Sequence, residues 1–172
     1  MLALKRQGMV GANGVMALTL NESFVQFARP GINRVMLGGG ATYTNFALGT
    51  TVDLQAGFPQ SVAGCGLVFR FANETDYTLA FIDQSGGYGV SRRNGDTFAP
   101  GLYGENSAFA GGGRHHLLLI ADGDTLYYYV DRQLVGSLEN DPHQGQVGIA
   151  VVNFEGVTTS CNYSGFWLWR WE

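Results

Sequence analysis

Apolar and polar residues alternate over short runs along most of this chain, and alternation with period two marks half-buried strands. The runs Val15–Leu20, Phe24–Ala28, Tyr43–Leu54, Cys65–Phe71, Tyr77–Asp83, Tyr88–Arg93, His116–Ala121, Thr125–Val130, Leu134–Leu138, Val147–Val152 and Val157–Trp169 read as strands. No helix-length window keeps apolar positions at i, i+3, i+4 and i+7 without a glycine or a β-branched run. Turn formers separate the runs: Gly38-Gly39-Gly40, Ser85-Gly86-Gly87, Asn94-Gly95, Gly111-Gly112-Gly113 and Asp122-Gly123. Many short strands with such turns predict an all-β, two-sheet antiparallel sandwich. No linker divides it, so residues 1–172 read as one domain.

The Asp122-Gly123 pair predicts a hairpin with a two-residue turn. Centring the turn on that pair sets Leu119 opposite Leu126 and Leu117 opposite Tyr128. Residues directly opposite share a face, and faces alternate along a strand. One face then carries Leu117, Leu119, Leu126, Tyr128 and Val130, a core face. The other carries His116, Leu118, Ile120, Tyr127 and Tyr129. A solvent face would be polar, so this second face asks for a cover. Either the first 40 residues fold over it or an external partner does. Trp167, Trp169 and Trp171 also alternate, so all three point one way, and the core is their expected place.

Composition narrows the function classes. Of 172 residues, 45% are hydrophobic and only 14% charged, which excludes a disordered chain. The 26 glycines beside 8 Tyr and 11 Phe fit many tight turns between strands. The net charge of −4 gives no basic field for nucleic acid. No apolar run approaches the roughly 18 residues of a membrane-spanning helix. Lys5 and Arg6 precede Gly8–Leu20, but Asn13 and glycines interrupt that stretch, so no signal peptide is visible. Asn21, Asn73 and Asn162 each begin an Asn-X-Ser/Thr triplet. Cys65 and Cys161 fit one disulfide or two buried thiols.

Gly66-Leu67-Val68-Phe69-Arg70-Phe71 is followed by Asp76-Tyr77-Thr78-Leu79-Ala80-Phe81-Ile82. Then come Tyr128-Tyr129-Val130-Asp131, Gly145-Gln146-Val147-Gly148-Ile149-Ala150 and a last strand Gly165-Phe166-Trp167-Leu168-Trp169. This order resembles the concanavalin A-like, laminin-G-like jelly-roll domains, especially the bacterial accessory domains of larger surface proteins. The likeness runs from Asn45 to Trp169. Two departures stand out: Arg132 replaces a usual glycine after the hairpin, and Leu118 and Tyr127 stand where the family tends to be polar.

The resemblance implies non-catalytic recognition, a lectin-like or adhesion module, extracellular or at a cell surface. The alternative is a structural subunit that packs as a homo-oligomer or in a larger assembly through the apolar outer face. A third reading is a glycoside hydrolase. Hydrolases of this fold set paired carboxylates two to four residues apart on one strand, and retaining chemistry needs them about 5 Å apart. No E-x-D-x-E pattern occurs here. Ligand-binding candidates, for carbohydrate or protein, are Leu118, Ile120, Tyr127 and Tyr129, with Arg70, Tyr88 and Arg92 on exposed faces or rims. No cofactor is expected. Calcium is the one candidate ion, through the loop carboxylates Asp96, Asp122 and Asp124. His115 and His116 point to opposite faces of a strand and cannot share a metal.

Overall fold

A computed structural model describes residues 2–139 and 143–172. A short helix, α1 (Leu2–Arg6), precedes the strands β1 (Val15–Phe27), β2 (Gly31–Leu37), β3 (Asn45–Gln55), β4 (Gly64–Asn73), β5 (Asp76–Asp83) and β6 (Gly87–Asn94). There follow β7 (Thr97–Glu105), β8 (Gly113–Asp122), β9 (Thr125–Val130), β10 (Gln133–Glu139), β11 (Gln146–Asn153) and β12 (Thr159–Trp171). The first six-stranded sheet runs β1-β12-β3-β8-β9-β10, and the second runs β2-β11-β4-β5-β6-β7. All pairings are antiparallel. The all-β two-sheet sandwich expected from the alternation is the fold that forms.

Two expected strands, Val15–Leu20 and Phe24–Ala28, are one. Asn21-Glu22-Ser23 stays extended and keeps pairing with β12. Its polar side chains cost nothing there, because β1 is an edge and they reach water. Two strands were not expected, β2 and β7, and both are also edges. Arg34 interrupts the apolar pattern of β2, and Pro100 sits within β7. A proline lacks the N–H for a central ladder but fits an edge.

The hairpin register differs from the expected one by two residues. Leu119 lies opposite Tyr128 and Leu117 opposite Val130, because Asp122 pairs with Thr125. The turn therefore centres on Gly123-Asp124. Gly123 alone of these two has positive φ, 52°, which suits a turn with glycine first. A shift of two preserves every face assignment, since side chains alternate with period two.

Between the sheets lies the core. Phe46, Leu48, Val52, Leu54, Leu117, Leu119, Tyr128 and Val130 of the first sheet meet Leu67, Phe69, Ile82, Ile149 and Val151 of the second. Burying each large apolar side chain contributes about 1.5–3 kcal/mol. Two side-chain bridges tie the layers together where β12 crosses β4. Cys65 and Cys161 form a disulfide with Cα atoms 5.7 Å apart. Two residues on, the Tyr163 hydroxyl accepts from Gly66 N at 3.0 Å and lies 2.8 and 2.7 Å from the carbonyls of Gly66 and Ala150.

The three tryptophans share a face, but it is the outer face of the first sheet. Phe166 and Leu168 take the inward positions instead.

Candidate functional site

The outer face of the first sheet collects most of the residues singled out in the sequence. Leu118, Ile120, Tyr127 and Tyr129 come together there with Ala47, Trp167, Trp169 and Trp171. Leu4, Met9 and Val10 of the same chain pack over them. Ile120 is wholly buried as a result. The fit is specific. Lys5 places its ammonium 3.9 Å from the Trp169 ring centre, a cation–π contact, and donates to Ala12 O at 3.1 Å. Trp169 Nε1 donates to Gly11 O at 3.2 Å. A Cβ at Gly11 or Gly14 would collide with the rings of Trp171 or Trp169. Only a segment bare of side chains at those points can lie this flat.

The other expected site residues lie elsewhere. Arg70 is not on an exposed face; it is 1% exposed. A bulge between Phe69 and Asn73 and a positive φ of 54° turn it inward. Its guanidinium donates to the carbonyls of Tyr43 and His143. Tyr88 packs into the core edge-on to Phe109, with ring centres 6.0 Å apart. Arg92 pairs with Asp76 at 3.3 Å and lines, with Arg70, a cleft of about 220 Å³ between the sheets. The structure does not bring these three to the hairpin face. Asp96 sits at the β6–β7 turn of the second sheet, and Asp122 and Asp124 at the β8–β9 turn of the first. Asp122 accepts from Trp171 Nε1 at 3.2 Å. Among the described residues, no three His, Cys, Asp or Glu stand together as a metal-binding group.

An open aromatic surface lies on the outer face of the second sheet. Leu79 and Phe81 of β5, Phe98 and Tyr103 of β7, Val152 of β11 and Phe154 beyond it line a cleft of about 320 Å³. Tyr103 is 67% exposed, Phe154 57% and Phe98 39%. Large apolar groups left in water on one face mark a binding surface more often than isolated ones do. A polar cluster continues the cleft. The Tyr77 ring lies edge-on to Phe98, with centres 6.4 Å apart. Arg34 donates to the Tyr77 hydroxyl at 2.7 Å, forms an ion pair with Glu74 and stacks 4.5 Å from the Tyr77 ring centre. The Arg93 guanidinium sits 5.9 Å from the ring centres of both Tyr77 and Phe98. At the other end the Tyr103 hydroxyl donates to Glu105 at 3.2 Å. Partial burial, and then that carboxylate, hold the Tyr103 phenol above its ordinary range.

Sequence reasoning missed this surface for a definite reason. Phe98 and Tyr103 have opposite parity, so plain alternation puts them on opposite faces. The β6–β7 register shifts between Val90 and Arg92, which sets Phe98 opposite Arg93 and Tyr103 opposite Gly89. A bulge of this kind re-aims side chains. Pro100-Gly101 within an aromatic run was the available signal.

Solved structures define the class of the fold. The CBM66 carbohydrate-binding module from Bacillus subtilis superposes with a TM-score of 0.67 at 17% identity, over 91% of this chain and 97% of that one. A Bacillus licheniformis β-glucanase gives 0.61 at 11% identity, over 88% and 79%. The Caenorhabditis elegans galectin LEC-6 gives 0.52 at 15%, over 84% and 96%. The chain is a concanavalin A-like jelly roll, as the order of its strands implied. No protein-family model and no curated protein matches it.

Proposed function

We propose that this chain is a non-catalytic carbohydrate-recognition module that works at a cell surface. The observation that carries this is the trio of exposed rings, Phe98, Tyr103 and Phe154, around an open cleft with Arg93, Arg34 and Ser91 beside it. Ligand sites combine apolar and aromatic walls with a few polar groups that fix orientation. A sugar chain offers both an apolar ring face and a fringe of hydroxyls. The carbohydrate-binding module and the galectin among the structural neighbours support the same reading.

The β-glucanase neighbour raises the enzymatic alternative. The acids flanking this groove argue against it. Glu74 precedes β5 and is ion-paired to Arg34, whereas Glu105 lies opposite Gly87, past the other end of β5. The eight residues of β5 that lie between them span roughly 23 Å at about 3.3 Å per residue. Glycosidase carboxyl pairs are about 5–9.5 Å apart. The disulfide supports an oxidising compartment.

A glycan array probed with the intact protein tests this reading. Saturable binding to a defined set of glycans, unchanged by EDTA, is expected. Loss of binding in EDTA would bring Asp96, Asp122 and Asp124 back as calcium ligands. Silence across the array, or release of reducing sugar from a bound polysaccharide, would refute the recognition module.

A further inference from the structure

The outer face of the first sheet changes character at the β12 bulge between Ser164 and Trp167. On one side lie the tryptophans and the segment that covers them. On the other the same face is open and polar. Register brings two cross-strand rows together there from β1, β12, β3 and β8. One reads Phe24, Asn162, Asp53, Arg114, and the next Glu22, Ser164, Thr51, His116. A depression of about 190 Å³ opens among them.

The hydrogen bonds in this patch are unevenly used. Thr51 Oγ1 and His116 Nδ1 are joined at 2.8 Å. Glu22, Asp53, Arg114 and Asn162 make no side-chain hydrogen bond or ion pair with other described residues. Asp53 and Arg114 are direct cross-strand neighbours, yet their charged ends do not meet. Beside them the Phe24 ring is 60% exposed.

We propose that this patch is a second ligand site, for a single neutral sugar ring or a similar polyol, on the face of the sandwich opposite the aromatic groove. The chemistry of the lining selects that class. Carboxylates only accept and a guanidinium only donates, while Asn162 does both. A ligand that satisfies them must donate and accept at closely spaced points, and neighbouring hydroxyls do so. Two acids against one base disfavour phosphate or sulfate esters. The depression is smaller than the roughly 300–1,000 Å³ pockets of drug-sized ligands, so it suits one ring. Phe24, the cross-strand neighbour of Asn162, offers an exposed apolar ring beside the depression.

Amide chemical-shift mapping of the ¹⁵N-labelled protein, titrated with millimolar glucose, galactose, mannose, fructose and glycerol, tests the site. At least one of these polyols should shift Thr51–Asp53, Arg114–His116 and Asn162–Ser164. Asp53→Ala and Arg114→Ala should each weaken binding at least tenfold with the rest of the spectrum unchanged. Because these residues are on the surface, the variants fold. The same spectra report Phe98 and Tyr103 separately, so silence at the aromatic groove leaves this site standing. No shifts at these strands, shifts that persist in Asp53→Ala, or equal shifts with sodium phosphate would overturn it.

Discussion

Two buried tyrosines differ in what surrounds one atom. Tyr128 and Tyr163 are both buried in the core. Tyr163 uses its hydroxyl to join β12 to β4 and β11, whereas the Tyr128 hydroxyl has no hydrogen-bond partner among the described residues. Breaking a satisfied buried network costs about 1–3 kcal/mol, and removing an unsatisfied hydroxyl is neutral or favourable. Tyr163→Phe should therefore destabilise by that amount, and Tyr128→Phe should not, in urea titrations. Burial raises both phenols above the ordinary value of about 10. The native state holds these protons after the unfolded chain has begun to lose them. Their contribution is thus full below about pH 10 and is lost as pH rises beyond it. The urea midpoint should fall more steeply above pH 10 in the wild type than in the double Phe variant; parallel curves would contradict this. Arg132 adds a third case. It sits at φ 69° in the β9–β10 turn, where an L side chain is strained. Arg132→Gly should stabilise by up to about 1 kcal/mol, read as a higher urea midpoint. That position was legible in the sequence, because the domains that this chain resembles were expected to carry a glycine there. The Tyr163 bridge was not, since nothing local to β12 reveals which carbonyls cross from the other sheet.

At the scale of elements, alternation found the interior strands and the edges β1 and β10, and lost the edges β2 and β7. β3, β4, β5, β8, β9 and β11 have a core side that must stay apolar, so their pattern is strong. β2 and β7 lie at sheet edges and tolerate Arg34 and Pro100, which blur it. The aromatic groove depends on β7 and on its bulge, so the candidate site was hidden together with the strand. The apolar face of the β8–β9 hairpin was legible, and residues 4–14 lie on it. Their fit rests on glycines pressed against Trp169 and Trp171. Gly11→Ala should lift that segment and shift tryptophan emission to the red, while Asn13→Ala, at an exposed side chain of the same segment, should leave emission unchanged. Equal spectra for the two would show that the segment does not need its bare backbone.

For the molecule as a whole, the two sheets are joined through the core and at one covalent point, Cys65–Cys161, which closes a separation of 96 residues. Loops of this length stabilise through the unfolded chain, and losing such a bond costs roughly 2–5 kcal/mol. Denaturation of the reduced, alkylated protein should show that loss. The fold class was legible from strand count and turn chemistry. Which outer face meets a ligand was not, because that depends on which face the chain covers with its own residues. In the proposed function, recognition runs through the second sheet. Affinity for whichever glycan an array selects, measured by calorimetry for wild type, Phe98→Ala, Tyr103→Ala and Tyr127→Ala, tests it most directly. The first two substitutions should each weaken binding at least tenfold, and Tyr127→Ala should bind as wild type does. Binding indifferent to Phe98 and Tyr103 but lost with Tyr127 would contradict it.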